Sequence, residues 1–211
     1  MLISHSHSLL FIHIQKTAGT SLTHFLTQAI PDLEELGRPH DPFIRAEALL
    51  GNSINNYKTI AFVRNPFDRL VSWYTMIREH GRVLTRAEKD QNPNYNLLWQ
   101  QVLEQSTSFS EFIENCSEAQ DRAGWKPFLY NQLDYLLDAN GNVAVDFIGR
   151  FEDLNNDVTR MCDLMCIETN HALPHVNKSG HARYREYYNV NTRSLVEARF
   201  ARDIAYFGYH F

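Results

Sequence analysis

Residues 11–22 read FIHIQKTAGTSL, and residues 59–74 read TIAFVRNPFDRLVSWY. Each stretch passes from an apolar, strand-like run through a short polar turn into residues at helical spacing. In the first, Leu9 to Ile14 predicts a strand. Leu22, Phe25, Leu26 and Ala29 then recur on one helical face until Pro31 stops it. In the second, Thr59 to Val63 predicts a buried strand. Asn65 suits an N-cap and Pro66 a first helical position, and Phe67, Leu70, Val71, Tyr74 and Ile77 give one apolar face. Strands alternating with helices in this way predict an α/β chain with a P-loop-like three-layer α/β/α architecture, a central parallel sheet flanked by helices.

Working outward, Val143 to Ile148 predicts a third strand, and Leu154, Val158, Cys162 and Met165 mark a helix after it. WKPFLYNQLDYLLD (125–138) predicts another helix, and Val196, Phe200, Ile204 and Phe207 a last one. Residues 81–96 are polar and turn-rich. Short helices are expected around Leu97 to Leu103 and Phe109 to Ile113, the second opened by the Ser108/Glu111 capping-box pattern. The expected organisation is one domain over 1–211, with a helical, substrate-side insertion around 81–135. Tyr95, Trp99, Trp125 and Tyr130 in that insertion are expected to shape an acceptor pocket.

Composition narrows the partners. With 20 Lys+Arg against 25 Asp+Glu the formal charge is −5, which argues against a general nucleic-acid binder, so any basic site must be local. Cys162 and Cys166, four apart on the expected helix, read as packing groups rather than a metal pair, and the usage suits a reducing compartment. The opening MLISHSHSLLFIHI has no basic n-region. Its apolar run is too short for a signal peptide or a membrane span, so the expected address is the cytoplasm. His5 and His7 are expected in an N-terminal tail, His13 in the core and His24 on the first helix.

The turn Lys16-Thr17-Ala18-Gly19-Thr20-Ser21 sits where a helix begins. First-turn N–H groups of a helix are unpaired and partly positive. Gly19 would let a ligand approach the backbone, the hydroxyls of Thr17, Thr20 and Ser21 would add donors, and Lys16 a full charge. Together they form an anion cradle, unless the turn is only a capped strand-to-helix junction. A nucleotide triphosphate loop places its lysine after the last glycine, as GxxxxGK[ST], with a hydroxyl for Mg²⁺. Here the lysine leads, which points to a related cradle that needs no metal.

FIHIQKTAGTSL resembles the 5′-phosphosulfate loop of sulfotransferases, most closely the carbohydrate-sulfotransferase-like branch with its soluble bacterial members, where the loop usually reads FxHIPKTxGTSL. TIAFVRNPFDRLVSWY is similar to the family's 3′-phosphate motif, with Arg64 at the strand end and Ser72 eight residues later. DFIGRFEDL (146–154) resembles the adenine-side segment, and HVNKSGHARYREYY with DIAYFGYHF the C-terminal loop and closing helix. The resemblance implies 3′-phosphoadenosine 5′-phosphosulfate as co-substrate, without a metal. It also implies transfer of the sulfuryl group to a hydroxyl or amine of a glycan or small hydroxylated acceptor. It places Lys16, Thr17, Ala18, Gly19, Thr20 and Ser21 on the 5′ end and Arg64 and Ser72 on the 3′-phosphate. Asn177, Lys178 and Ser179 fall in the nucleotide-closing loop, and Phe151 lies against the adenine or in the core. The alternatives for these positions are an Arg64–Asp68 pair at a helix start, a solvated Ser72 and an exposed basic turn at Lys178, Ser179 and Arg183. Gln15 departs from the pattern. It stands where the family has proline, so the loop loses a fixed φ.

The acceptor's proton needs a base. His40, in RPHDPF between the two motifs, falls about where the second strand of the sheet should end and where some relatives place a catalytic histidine, and an unperturbed imidazole pKa near 6.5 suits the work. Asp41, Glu79 and Asp134 are the alternatives. Two other classes fit parts of the pattern: a small-molecule kinase, and a non-catalytic module that binds adenosine bisphosphate.

Overall fold

The computed structural model describes residues 1–92, 94–168 and 182–211. In chain order its strands and α-helices are β1 (Leu2–Ser4), β2 (Leu9–Ile12), α1 (Gly19–Ala29), β3 (Glu34–Glu35), α2 (Phe43–Leu50), β4 (Lys58–Val63), α3 (Pro66–His80) and α4 (Arg86–Gln91). There follow α5 (Leu97–Gln105), α6 (Phe109–Asn115), β5 (Phe147–Arg150), α7 (Leu154–Met165), α8 (Val190–Arg199) and α9 (Ala201–Phe207). The chain divides into two compact units. One holds Met1–Asn65 and, from Gln132, β5 and α7. The other holds Pro66–Asn131 and the C-terminal helices.

The first unit is built on a five-stranded sheet ordered β3-β1-β2-β4-β5. β2, β4 and β5 run parallel, with Leu9 opposite Lys58, Ile12 opposite Ala61 and Val63 opposite Arg150. Side chains alternate across such strands, and here both faces are buried, as expected of a parallel core that reads as continuous apolar sequence. Leu9, Phe11, Ile60 and Phe62 pack against Leu22, Phe25 and Leu26 of α1 and Val158, Met161, Cys162 and Met165 of α7. Each buried side chain of this size contributes about 1.5–3 kcal/mol by leaving water. The expected α/β class, a parallel core flanked by helices, is what the sheet shows.

Three details differ from expectation. The first residues are not a tail: β1 pairs antiparallel with β2 and, on its other side, with β3, so the sheet is mixed. The strand expected to end near His40 is the two-residue β3. Cys162 packs in the core as expected, but Cys166 is exposed, because it takes φ 52° in the left-handed position that ends α7.

The second unit is helical. Phe67, Leu70, Val71 and Ile77 of α3 form one core with Leu98 and Val102 of α5, Phe112 and Ile113 of α6, Phe128, Val196 and Phe200. Residues 81–96 are not wholly irregular. Thr85 and Glu88 form a complete capping box that starts α4. Ser108 caps α6 by accepting the Glu111 N–H. The single last helix is instead two. The Asn131 amide donates to the Arg199 carbonyl and accepts from the Asp203 N–H at the break around Phe200. Tyr184 and Tyr188 ring Phe67 with Phe211, so these tyrosines serve the core. Among the described residues no helix is long and apolar enough to cross a membrane.

Candidate functional site

The loop between β2 and α1 carries two non-glycine residues with positive φ, Lys16 at 67° and Ala18 at 68°. A left-handed conformation costs an ordinary residue roughly 1–2 kcal/mol, so the surroundings must hold it there. Ala18 is the N-cap of α1 and offers no side-chain acceptor, so the first turn starts without a side-chain cap. That leaves the helix start chemically suited to an anion. The Thr17 hydroxyl donates to the Ile14 carbonyl (2.9 Å), so it stiffens the loop instead of pointing a donor outward. Thr20 is exposed and Ser21 buried.

Gly19 has a packing reason beside the close approach expected of it. A Cβ there would lie 1.7 Å from His13 Nε2. The glycine is required because the His13 imidazole lies against its backbone. His13 in turn stacks on Phe11 and meets His40 edge-on, with ring centroids 4.6 Å apart. Burial first, and then the neighbouring His40, hold His13 down at about 3, so it stays neutral at physiological pH.

Arg64, at the end of β4, is buried beside the loop. Its Nη1 donates to the Lys16 carbonyl at 3.3 Å, and its guanidinium lies 3.9 Å over the Phe151 ring. Lys16 is partly buried, and burial first and the Arg64 charge second lower its pKa to about 8. Both burial and the Arg64 charge disfavour the charged form of Lys16, and an anion placed against the two residues would favour it. The charge pattern therefore fits a polyanion.

Two side chains fix this arrangement. The Gln132 amide pairs with both backbone groups of Arg64, accepting from its N–H (2.9 Å) and donating to its carbonyl (2.8 Å). Gln15 is buried, and its Oε1 accepts from the Tyr135 hydroxyl at 3.2 Å. Sequence reading missed Gln132 and Tyr135, which it placed in the expected helix over 125–138. The structure has only a short 3₁₀ turn there, Gln132–Tyr135. Pro127 and two amides in succession, Asn131 and Gln132, were the signals against a regular helix.

His40 presents a defined tautomer. Its Nδ1 lies 3.1 Å from the His13 carbonyl, and a carbonyl can only accept, so Nδ1 carries the hydrogen and Nε2 the lone pair. Asp41 is committed locally: its Oδ2 accepts the Arg38 N–H and closes the turn that carries His40. Glu79 is exposed on α3, with its Oε2 3.9 Å from His80 Nε2. His24, on α1, meets Gln28.

Ser72 is buried on α3, in the helical unit. Trp99 packs on the helical core, Trp125 meets Tyr130 edge-on and Arg122 lies over Tyr95. Asn177, Lys178 and Ser179 lie outside the described residues.

Residues 1–210 match the model of the family described as the sulfotransferase family. Among solved structures the chain is similar to mouse sulfotransferase SULT7A1, solved in complex with PAP, at 12% identity and a TM-score of 0.56, covering 96% of this chain and 86% of that one. It is also similar to a sulfotransferase from Alicyclobacillus acidocaldarius at 17% identity and a TM-score of 0.39, covering 92% of each chain. No curated protein sequence matches it.

Proposed function

This chain belongs to the sulfotransferase family, and from that premise we propose that it transfers a sulfuryl group from 3′-phosphoadenosine 5′-phosphosulfate to a hydroxyl or amine, with a carbohydrate as the acceptor class. The observation that carries the reading is that the buried Arg64 guanidinium reaches the main chain of Lys16 beside the start of α1, which has no side-chain cap. A donor of this kind brings roughly four negative charges to a chain whose net charge is −5, so it needs concentrated local cations. The mouse protein solved with PAP supports the same donor class.

In this reading the first-turn amides of α1 and Lys16 hold the 5′ end. Arg64 holds the 3′-phosphate, and Phe151 backs the guanidinium. The family motif adds Ser72, and it adds Asn177, Lys178 and Ser179. When bound, the donor supplies an activated sulfate whose S–O bond to the bridging oxygen breaks as a bond to the acceptor forms. As in phosphoryl transfer, the protein's part is positioning and charge stabilisation. Lys16 meets charge that grows on the bridging oxygen, and His40 Nε2 accepts the acceptor's proton. Charge stabilisation is assigned to these residues, and no metal has a role. The setting proposed is the cytoplasm.

Arg64 tests the donor assignment. Arg64→Ala should weaken binding of 3′,5′-adenosine bisphosphate by about 1.5–3 kcal/mol, the range of a charge-assisted hydrogen bond. It should also erase the preference for that ligand over adenosine 5′-phosphate, which lacks the 3′ group. Calorimetry with both ligands gives the answer. A preference that survives the substitution would remove Arg64 from the 3′-phosphate.

A further inference from the structure

The 3₁₀ turn Gln132–Tyr135 reaches both anion-binding elements at once. Gln132, fully buried, holds the backbone of Arg64 through its amide, as a neighbouring strand would. Tyr135, 1% exposed, holds Gln15 one residue before Lys16. The Lys16 and Ala18 backbones are in left-handed conformations that persist only where their surroundings over-determine them. Proline at position 15 would supply such a constraint covalently by fixing φ. Glutamine cannot, but its side chain is tied down by a buried hydroxyl.

We propose that the Gln132–Tyr135 turn is a strut that sets the Lys16 loop in register with the end of β4. Tyr135 acts through Gln15, and Gln132 through Arg64, as positioning residues for the donor. This rests on the donor reading above. The strut replaces the missing proline. It also explains why two uncharged polar side chains are buried beside Arg64 and the Lys16 loop. Burying an amide and a hydroxyl without partners is costly, and here both spend their hydrogen bonds on the loop and the strand end.

The test is calorimetry of 3′,5′-adenosine bisphosphate on the wild type, Tyr135→Phe, Gln15→Pro and the double variant, with melting temperatures alongside. Tyr135→Phe removes one hydroxyl and keeps the ring. It should bind about 5- to 20-fold more weakly, the scale of a lost buried hydrogen bond, with a melting temperature close to wild type. Gln15→Pro/Tyr135→Phe should return to within about twofold of wild type, because proline fixes the loop without the hydroxyl. Gln15 is not among the loop's positive-φ residues, so its φ has the sign that proline requires. A Tyr135→Phe protein that binds like wild type, or a double variant as weak as Tyr135→Phe, overturns the strut. Should Tyr135→Phe fail to fold, Gln15→Met removes the other end of the same bond and must show the same loss. If the wild type binds no bisphosphate, the donor reading fails on its own account. Amide exchange over residues 16–21 then judges the strut: faster exchange in Tyr135→Phe, reversed in the double variant, supports it, and unchanged exchange overturns it.

Discussion

His40→Ala is expected to lower turnover by roughly 10²–10⁴, the usual yield of general-base catalysis, while leaving affinity for 3′,5′-adenosine bisphosphate within about twofold. The size of the loss follows from chemistry, and its selectivity from geometry. His40 Nδ1 is held by the His13 carbonyl, which directs the Nε2 lone pair to the proton-accepting role. The anion-binding groups, Lys16 and Arg64, are other residues, so removing the imidazole leaves them in place. The pH profile adds a second reading. Below its own pKa the imidazole is protonated and cannot accept a proton, so for a hydroxyl acceptor the rate rises with pH, and His40→Ala loses that limb. Steady-state kinetics against pH, with labelled donor and an acceptor found by panel screening, gives both. Near-normal turnover in His40→Ala moves the role to another group. Lost folding or lost donor binding makes His40 a structural residue of its turn.

Lys16→Ala should cost roughly 10²–10³ in kcat, on the scale of removing one donor from an oxyanion site. Its charge also makes a prediction with a definite sign. In the free protein burial and Arg64 hold Lys16 at about 8, so near pH 8 about half of it is uncharged. A bound polyanion favours the charged form and raises that pKa, so binding takes up a proton, and affinity falls as pH rises above 8. Calorimetry at pH 8 in buffers of different ionisation enthalpy should therefore show uptake of up to about half a proton in the wild type and none in Lys16→Ala. Equal uptake in both would place the titrating group elsewhere.

The parts of the fold that sequence displays are those driven by period and burial. Leu9 to Ile12 and Thr59 to Val63 are apolar on both faces, and the helices after them carry apolar residues at helical spacing, so two parallel strands and their junctions are legible. β1 was not, because three residues are too short to show a period, and β3 with two is shorter still. The stretch 125–138 failed for another reason. Its leucines are spaced for a helix, yet Asn131, Gln132 and Tyr135 are drawn into tertiary hydrogen bonds that a regular helix would not have met.

The site divides along the same line. Lys16, Gly19 and Arg64 stand out because motif and local chemistry coincide. Tyr135 and Gln132 are invisible in sequence, since their partners lie 120 and 68 positions away. Gly19 stands out in the motif, but its contact with the His13 ring shows only in the structure.

If Lys16 and Arg64 hold an adenosine 3′,5′-bisphosphate moiety, one titration shows it most directly. Calorimetry of the wild-type protein with 3′,5′-adenosine bisphosphate, in EDTA and again in Mg²⁺, should give equal affinities, with ATP binding far more weakly in either. Strict dependence on Mg²⁺, or a preference for ATP, would contradict the account and make the chain a kinase-like enzyme instead.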